Sequence, residues 1–73
     1  MTNHLSAAYT RNADGFRQMA SKAAMTGKKV GGYTLDQLRQ MEADYRRYAA
    51  MSQPEMDAHQ ASVRAAIAAR LSA

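Results

Sequence analysis

Basic side chains near a tyrosine are the residues of this chain best suited to chemistry, and that chemistry is the binding of a negatively charged partner. Lys28 and Lys29 precede Tyr33 in a glycine-rich stretch, and Arg11 and Arg17 lie on its N-terminal side. Ammonium and guanidinium groups attract phosphates and carboxylates, and an aromatic ring adds a surface for stacking. The sequence therefore predicts partner contacts at Arg11, Arg17, Lys28, Lys29 and Tyr33.

Residue types suited to catalysis or metal binding do not occur at the sequence spacing that either function needs. His4 and His59 are far apart along the chain, and there is no cysteine. A metal site needs more ligands at close spacing, and a general acid or base needs a shaped, partly dry site. The Gly27–Gly32 stretch is not followed by the Lys-Ser/Thr pair of a phosphate-binding loop. We predict no catalytic residue, metal, cofactor or small-molecule substrate, and therefore no enzyme.

The positive charge is concentrated in the first half of the chain. The net charge is +4 over 73 residues. Residues 1–33 contain five basic residues and one acidic residue, whereas residues 34–73 contain five of each. An acidic protein surface or a nucleic acid should therefore meet the first half. A solvated basic surface without a partner is the alternative that composition leaves open.

Two capping boxes mark helix starts in the second half. Thr34 is followed by Gln37, and Ser52 by Glu55, so each hydroxyl residue has Gln or Glu three positions later. Apolar residues then recur near the 3.6-residue helical period. They are Leu35, Leu38, Met41 and Tyr45 after the first box, and Met56, Val63, Ile67 and Leu71 after the second. With a shorter helix that Gly27 ends, helices are predicted over about residues 14–26, 34–50 and 53–71.

These elements predict an all-α protein. The tight break near Met51 favours an antiparallel helical hairpin of the second and third helices, preceded by a short N-terminal helix. Residues 1–13 have weak periodicity and are predicted to be a flexible arm, and residues 14–73 a single small helical domain. Because no disulfide is possible, stability must come from well-formed helices, self-association or a partner.

No membrane or secretory segment is predicted. No apolar run approaches the ~20 residues needed to cross a bilayer. Residues 1–11 lack the charged lead and apolar core of a signal peptide. We therefore expect no membrane partner and a cytoplasmic address.

Three stretches carry a resemblance to a known group of proteins: MTNHLSAAYTRNADGF, TGKKVGGYTLDQLRQ and VRAAIAARLSA. Over its full length the chain resembles the small transcription regulators encoded by Xanthomonas-infecting lytic phages. The resemblance implies a non-enzymatic protein of the host bacterial cytoplasm that binds the host RNA polymerase. It further implies inhibition of initiation at host promoters and antitermination. It assigns no contact residue.

Other functions remain compatible with the residues alone. The basic half also suits a nucleic-acid-binding module, although Asp36, Glu42 and Asp44 on the second helix would oppose phosphates. The composition is equally compatible with an inhibitor of another host machine, such as a defence nuclease. A dimeric helical structural protein is the remaining alternative.

Overall fold

Three α-helices make up the chain, described by a computed structural model over residues 2–72. α1 spans Ser6–Thr26, α2 Leu35–Ala50 and α3 Gln53–Ser72, and no strand occurs within that range. The prediction of an all-α protein is therefore confirmed. Met1 and Ala73, at the ends of the predicted arm and helical domain, lie outside the described residues.

Both predicted capping boxes are present. The Gln37 N–H donates to Thr34 Oγ1 at 3.2 Å, and the Thr34 N–H donates to Gln37 Oε1 at 2.9 Å. At α3 the Glu55 N–H donates to Ser52 Oγ at 3.3 Å, and the Ser52 N–H donates to Glu55 Oε1 at 3.0 Å. These bonds satisfy backbone N–H groups that have no partner inside the first helical turn.

Glycines shape the connection between α1 and α2. Gly27 ends α1 in the left-handed conformation, with φ of 67°, as the sequence predicted. Val30 and Tyr33 then exchange two backbone hydrogen bonds of 3.0 and 3.1 Å. Gly31 and Gly32 between them have φ of 60° and 83°, the signs of a type I′ turn. The chain thus reverses tightly before α2 begins.

The predicted flexible arm over residues 1–13 is corrected by the start of α1. α1 begins at Ser6 rather than near residue 14, and the Asn3 side chain is buried. Asn3 Nδ2 donates to the carbonyls of Tyr48 and Met51, both at 2.9 Å, and Ser6 Oγ donates to the Ala49 carbonyl at 2.7 Å. The last carbonyls of a helix lack partners within it, so the N-terminal segment is ordered by capping α2.

Helical spacing also explains the longer α1. Apolar residues recur at alternating intervals of four and three, in phase with one helical face. They are Tyr9, Ala13, Phe16, Ala20 and Ala23. Polar neighbours around Asn12 obscure the early part of this pattern, and for that reason the predicted start near residue 14 is too late.

α1 and α2, rather than α2 and α3, form the packed antiparallel pair. Among residues 2–72 these are the two helices with extensive mutual contact. Near the connection, Ala20 and Ala23 of α1 pack with Leu38 of α2. Midway along α1, the Phe16 ring stacks on that of Tyr45, with their centroids 5.3 Å apart. The alanines allow close approach of the two backbones, and Leu38 is fully buried between them.

The predicted hairpin of the second and third helices is therefore not what the structure shows. α1 covers the apolar face of α2 that α3 would have needed. The N-terminal segment also contacts the first turn of α3, where the His4 N–H donates to Gln53 Oε1 at 2.8 Å. Met56 is buried near this junction, whereas residues 61–72 are exposed. The result is an open molecule of 39 × 37 × 14 Å along its principal axes.

Candidate interaction surface

Three of the five predicted contact residues lie in the connection between α1 and α2. Lys28 and Lys29 follow Gly27 directly, and Tyr33 ends the glycine turn with 40% of its surface exposed. Both lysines line an open pocket of about 240 Å³ with Thr34 and Leu35 at the start of α2. The two ammonium groups and the ring are therefore presented by one short segment that rigid helices hold at both ends.

Arg11 and Arg17 are separated from that segment and from each other. Both are exposed on α1. Six residues of helix place them about 120° apart around the axis and about 9 Å apart along it. Arg11 also lies about 22 Å before the end of α1. The structure thus places Lys28, Lys29 and Tyr33 in one short connection, and it leaves the two arginines on different sides of α1.

Two residues that sequence reasoning passed over share the outer face of α1 with Arg11. Lys22 follows Arg11 by eleven residues, which returns it to within about 20° of the same direction. Met25 lies near this face and is 85% exposed. The helix predicted from residue 14 did not include Arg11, so it could not show that Arg11 and Lys22 share a face. The alternating four- and three-residue spacing of apolar residues from Tyr9 onward was the signal that could have predicted the longer helix.

An ion-pair cluster between α1 and α2 involves the one acidic residue of the positively charged first half of the chain. Arg46 Nη2 lies 3.0 Å from Asp14 Oδ1 and 2.7 Å from Glu42 Oε2. The hydrogen bond to Glu42, followed by that to Asp14, raises the pKa of Arg46 above its ordinary value. Asp14 is the one acidic residue of the first 33. Because its carboxylate faces Arg46, it offsets less of the positive charge on α1 and the connection.

The basic side chains of residues 2–33 have no ion-pair partner within the described range. The ion pairs between residues 2 and 72 involve Arg46 and Arg47 of α2. Within residues 2–33 the cations left without a carboxylate partner are Arg11, Arg17, Lys22, Lys28 and Lys29. We call these five residues, which are distributed over different sides of α1 and the connection, the basic surface.

Other kinds of site are not apparent in the part of the chain that the structure describes. No three His, Cys, Asp or Glu side chains between residues 2 and 72 are grouped as metal ligands. His59 is a helix residue of α3, and its ring centroid lies 4.6 Å from that of Tyr48. None of the three helices, over the described residues, has the length and apolarity that crossing a bilayer requires.

Comparison with known proteins does not assign the chain. No protein-family model matches it, and neither the curated proteins nor the solved structures contain a significant match.

Proposed function

We propose that this chain is a non-enzymatic phage protein that binds the host bacterial RNA polymerase. In this proposal it inhibits initiation of transcription and promotes antitermination in the host cytoplasm. The full-length sequence resemblance motivates the proposal. The structural observation that carries it is the basic surface, whose five cations have no carboxylate partner between residues 2 and 72.

Charge explains how so small a protein would find a large one. Bacterial RNA polymerase is acidic over much of its surface, and complementary charge accelerates encounter and aligns the partners. Lys28, Lys29 and Tyr33 are presented together by the connection, so they form the proposed primary contact. Arg17 and Arg11 extend the attraction along α1.

The proposed mechanism needs no chemical step on a substrate. A bound protein of 8.0 kDa regulates by occupying a surface that another transcription factor or nucleic acid requires, or by shifting the polymerase between conformations. The protein therefore acts in proportion to the fraction of polymerase that it occupies. Its effect on initiation should saturate at the same concentration as its binding.

Affinity for purified polymerase tests the proposal directly. The Lys28→Gln/Lys29→Gln variant should bind about tenfold more weakly, since two surface charge contacts together contribute about 1.4 kcal/mol. Arg39→Gln/Arg47→Gln on α2 is the matched control, because it lowers the net charge by the same amount outside the connection. Its affinity should change by less than about twofold.

Biolayer interferometry and transcription from a host promoter in vitro provide the measurements. Binding of the wild-type chain together with loss of promoter-dependent transcript supports the proposal. Wild-type protein that neither binds polymerase at moderate salt nor changes initiation would overturn it. Equal weakening by both double variants would replace the specific contact with a general charge effect.

The exposed lysines beside Tyr33 also favour a second candidate, a nucleic-acid-binding module. Such a module should bind duplex or single-stranded nucleic acid in the absence of polymerase, with log K falling linearly against log salt concentration. Fluorescence anisotropy with labelled DNA and RNA distinguishes the two functions. Binding only when polymerase is present favours the first.

A further inference from the structure

The apolar face of α3 continues beyond the part that the rest of the molecule covers. Met56 in the first turns is fully buried. Val63, Ile67 and Leu71 follow on the same face, and their exposed fractions rise from 44% to 51% and 83%. We call these three residues the α3 stripe. It extends over about 12 Å, or a little more than two helical turns.

A pocket lies at the base of the α3 stripe. Tyr9 of α1 and His59, Gln60, Val63 and Arg64 of α3 line an open space of about 350 Å³. The Tyr9 ring is held by Tyr45 and Tyr48, each with its centroid 5.6 Å away. The Tyr9 side of the pocket is therefore supported by packed aromatic rings, and an apolar side chain inserted there would pack against Tyr9 and Val63.

Positive charge borders the α3 stripe on both sides. Arg64 and Arg70 are each three residues from Ile67, which places them about 60° to either side of it. From residue 58 to residue 72 the sequence has no Asp or Glu. Arg64 Nε contacts only the Gln60 carbonyl of its own helix, at 3.4 Å. Both guanidinium groups thus lack an acidic partner on this part of α3.

We infer that the α3 stripe and its pocket bind an acidic amphipathic helix of the polymerase, an assignment that rests on the proposed function. Apolar residues of that helix at i, i+3 or i+4 spacing pack on Ile67, and one of them enters the pocket beside Tyr9. Carboxylates on its two edges pair with Arg64 and Arg70, where Arg can bind a carboxylate through two hydrogen bonds. This contact is separate from the basic surface.

The same charges argue against other occupants. A second copy of the chain would bring arginines together across its α3 stripe, since residues 58–72 supply no carboxylate to pair with them. A membrane surface is a poorer fit because helices that lie on membranes have a polar face rich in Lys and Arg and an apolar face with Trp, Phe or Leu. α3 has two arginines against Glu55 and Asp57, and its apolar face has one Leu and neither Trp nor Phe.

A photo-cross-linking experiment with purified bacterial RNA polymerase tests this assignment. p-Benzoylphenylalanine replaces Leu71 in one variant of the full chain and Ala69 in its control, which points about 160° away on the same helix. We expect the Leu71 position to cross-link to a polymerase peptide with acidic and apolar residues at helical spacing. The Ala69 position should give little product.

Affinity provides the second measurement. Ile67→Glu places a charge at the centre of the α3 stripe, and Ala65→Glu places the same charge about 160° away. Ile67→Glu should weaken polymerase binding about thirtyfold, the loss typical of a central apolar anchor. Ala65→Glu should change it less than about threefold. Far-UV circular dichroism confirms that both variants keep their helices.

The outcomes distinguish failure of the α3 assignment from failure of the proposed function. If wild-type protein binds polymerase but Ile67→Glu does not weaken it, the α3 assignment is wrong and the proposed function stands. If wild-type protein does not bind polymerase, both are wrong. Cross-links between two copies of the chain, or tighter binding to vesicles of anionic phospholipid than to polymerase, also overturn the assignment.

Discussion

Asn3 joins three parts of the chain through its side chain. Its Nδ2 group donates to the carbonyls of Tyr48 and Met51, and its Oδ1 accepts from the Leu5 N–H at 2.9 Å. A buried amide is stable only when its polar atoms have partners, and here all of them do. One residue close to the N-terminus thus closes the end of α2 and leads the chain into α1.

Replacing Asn3 tests this role. Asn3→Ala should lower the free energy of unfolding by about 1–3 kcal/mol, because two carbonyls and one N–H lose their partner. Thr2→Ala is the control, since Thr2 is exposed. Urea denaturation followed by circular dichroism measures both. Equal stability of the two variants would contradict an ordered N-terminal segment.

Glu55 provides a pH-dependent contact at the start of α3. The Ser52 backbone N–H, and to a smaller extent the Ser52 hydroxyl, lower the pKa of Glu55 below its ordinary value of 4.5. A carboxyl whose pKa is lower in the folded state stabilises that state above its unfolded pKa. The stabilisation is lost as the pH falls through the folded pKa.

We therefore expect the first turn of α3 to loosen as the pH is lowered through and below 4.5. The Ser52 amide proton, followed by NMR, should titrate with an apparent pKa below that value. Glu55→Gln keeps an acceptor oxygen but does not titrate, so the Ser52 amide should lose this pH dependence. A Ser52 titration that is the same in both proteins would exclude the capping contact as its cause.

At the scale of elements, glycines at two positions have opposite effects on the stability of the fold. Gly31 needs its positive φ of 60°, and a Cβ there would lie 2.9 Å from Met19 Cε. Gly15 lies inside α1, and a Cβ added there would meet no atom within 4 Å. The first glycine is required by the turn, whereas the second only weakens its helix.

The two alanine variants should therefore change stability in opposite directions. Gly31→Ala should cost about 1–2 kcal/mol, because the left-handed conformation is unfavourable for a residue with a Cβ. Gly15→Ala should add about 0.5–1 kcal/mol through higher helix propensity. Thermal unfolding compares them. A destabilising Gly15→Ala would show that α1 is not a continuous helix there.

At the scale of the whole molecule, stability and the proposed second contact belong to different parts. The α1–α2 pair contains the buried residues Ala13, Ala20, Ala23 and Leu38. The distal half of α3 is exposed, and its many alanines favour the helix without tertiary contacts. Residues 61–72 should therefore be dispensable for folding, which leaves them available to a partner.

Shortening the chain tests this division. A protein that ends at Gln60 should lose less than about 1 kcal/mol of stability, because the deleted residues bury little apolar surface. Leu38→Ala in the full chain should lose about 2–5 kcal/mol, since it removes a fully buried side chain. Denaturant titrations measure both changes. Unfolding of the shortened protein would mean that distal α3 supports the pair.

The sequence by itself determined the features that depend on near neighbours. Thr34 and Ser52 start their helices through bonds spanning three residues, and Gly27 ends α1 through its own backbone freedom. The all-α class and the uneven charge were also available from sequence. The placement of Lys28, Lys29 and Tyr33 in one connection could be predicted as well, because those residues are close along the chain.

Only the tertiary structure decided which helices pair and where α1 begins. The contacts responsible join residues more than thirty positions apart, such as Asn3 with Tyr48 and Asp14 with Arg46. Periodicity shows that a helix has an apolar face, but it does not show whether α1 or α3 covers the apolar face of α2. α1 occupies the face of α2, and for that reason the outer half of α3 remains uncovered.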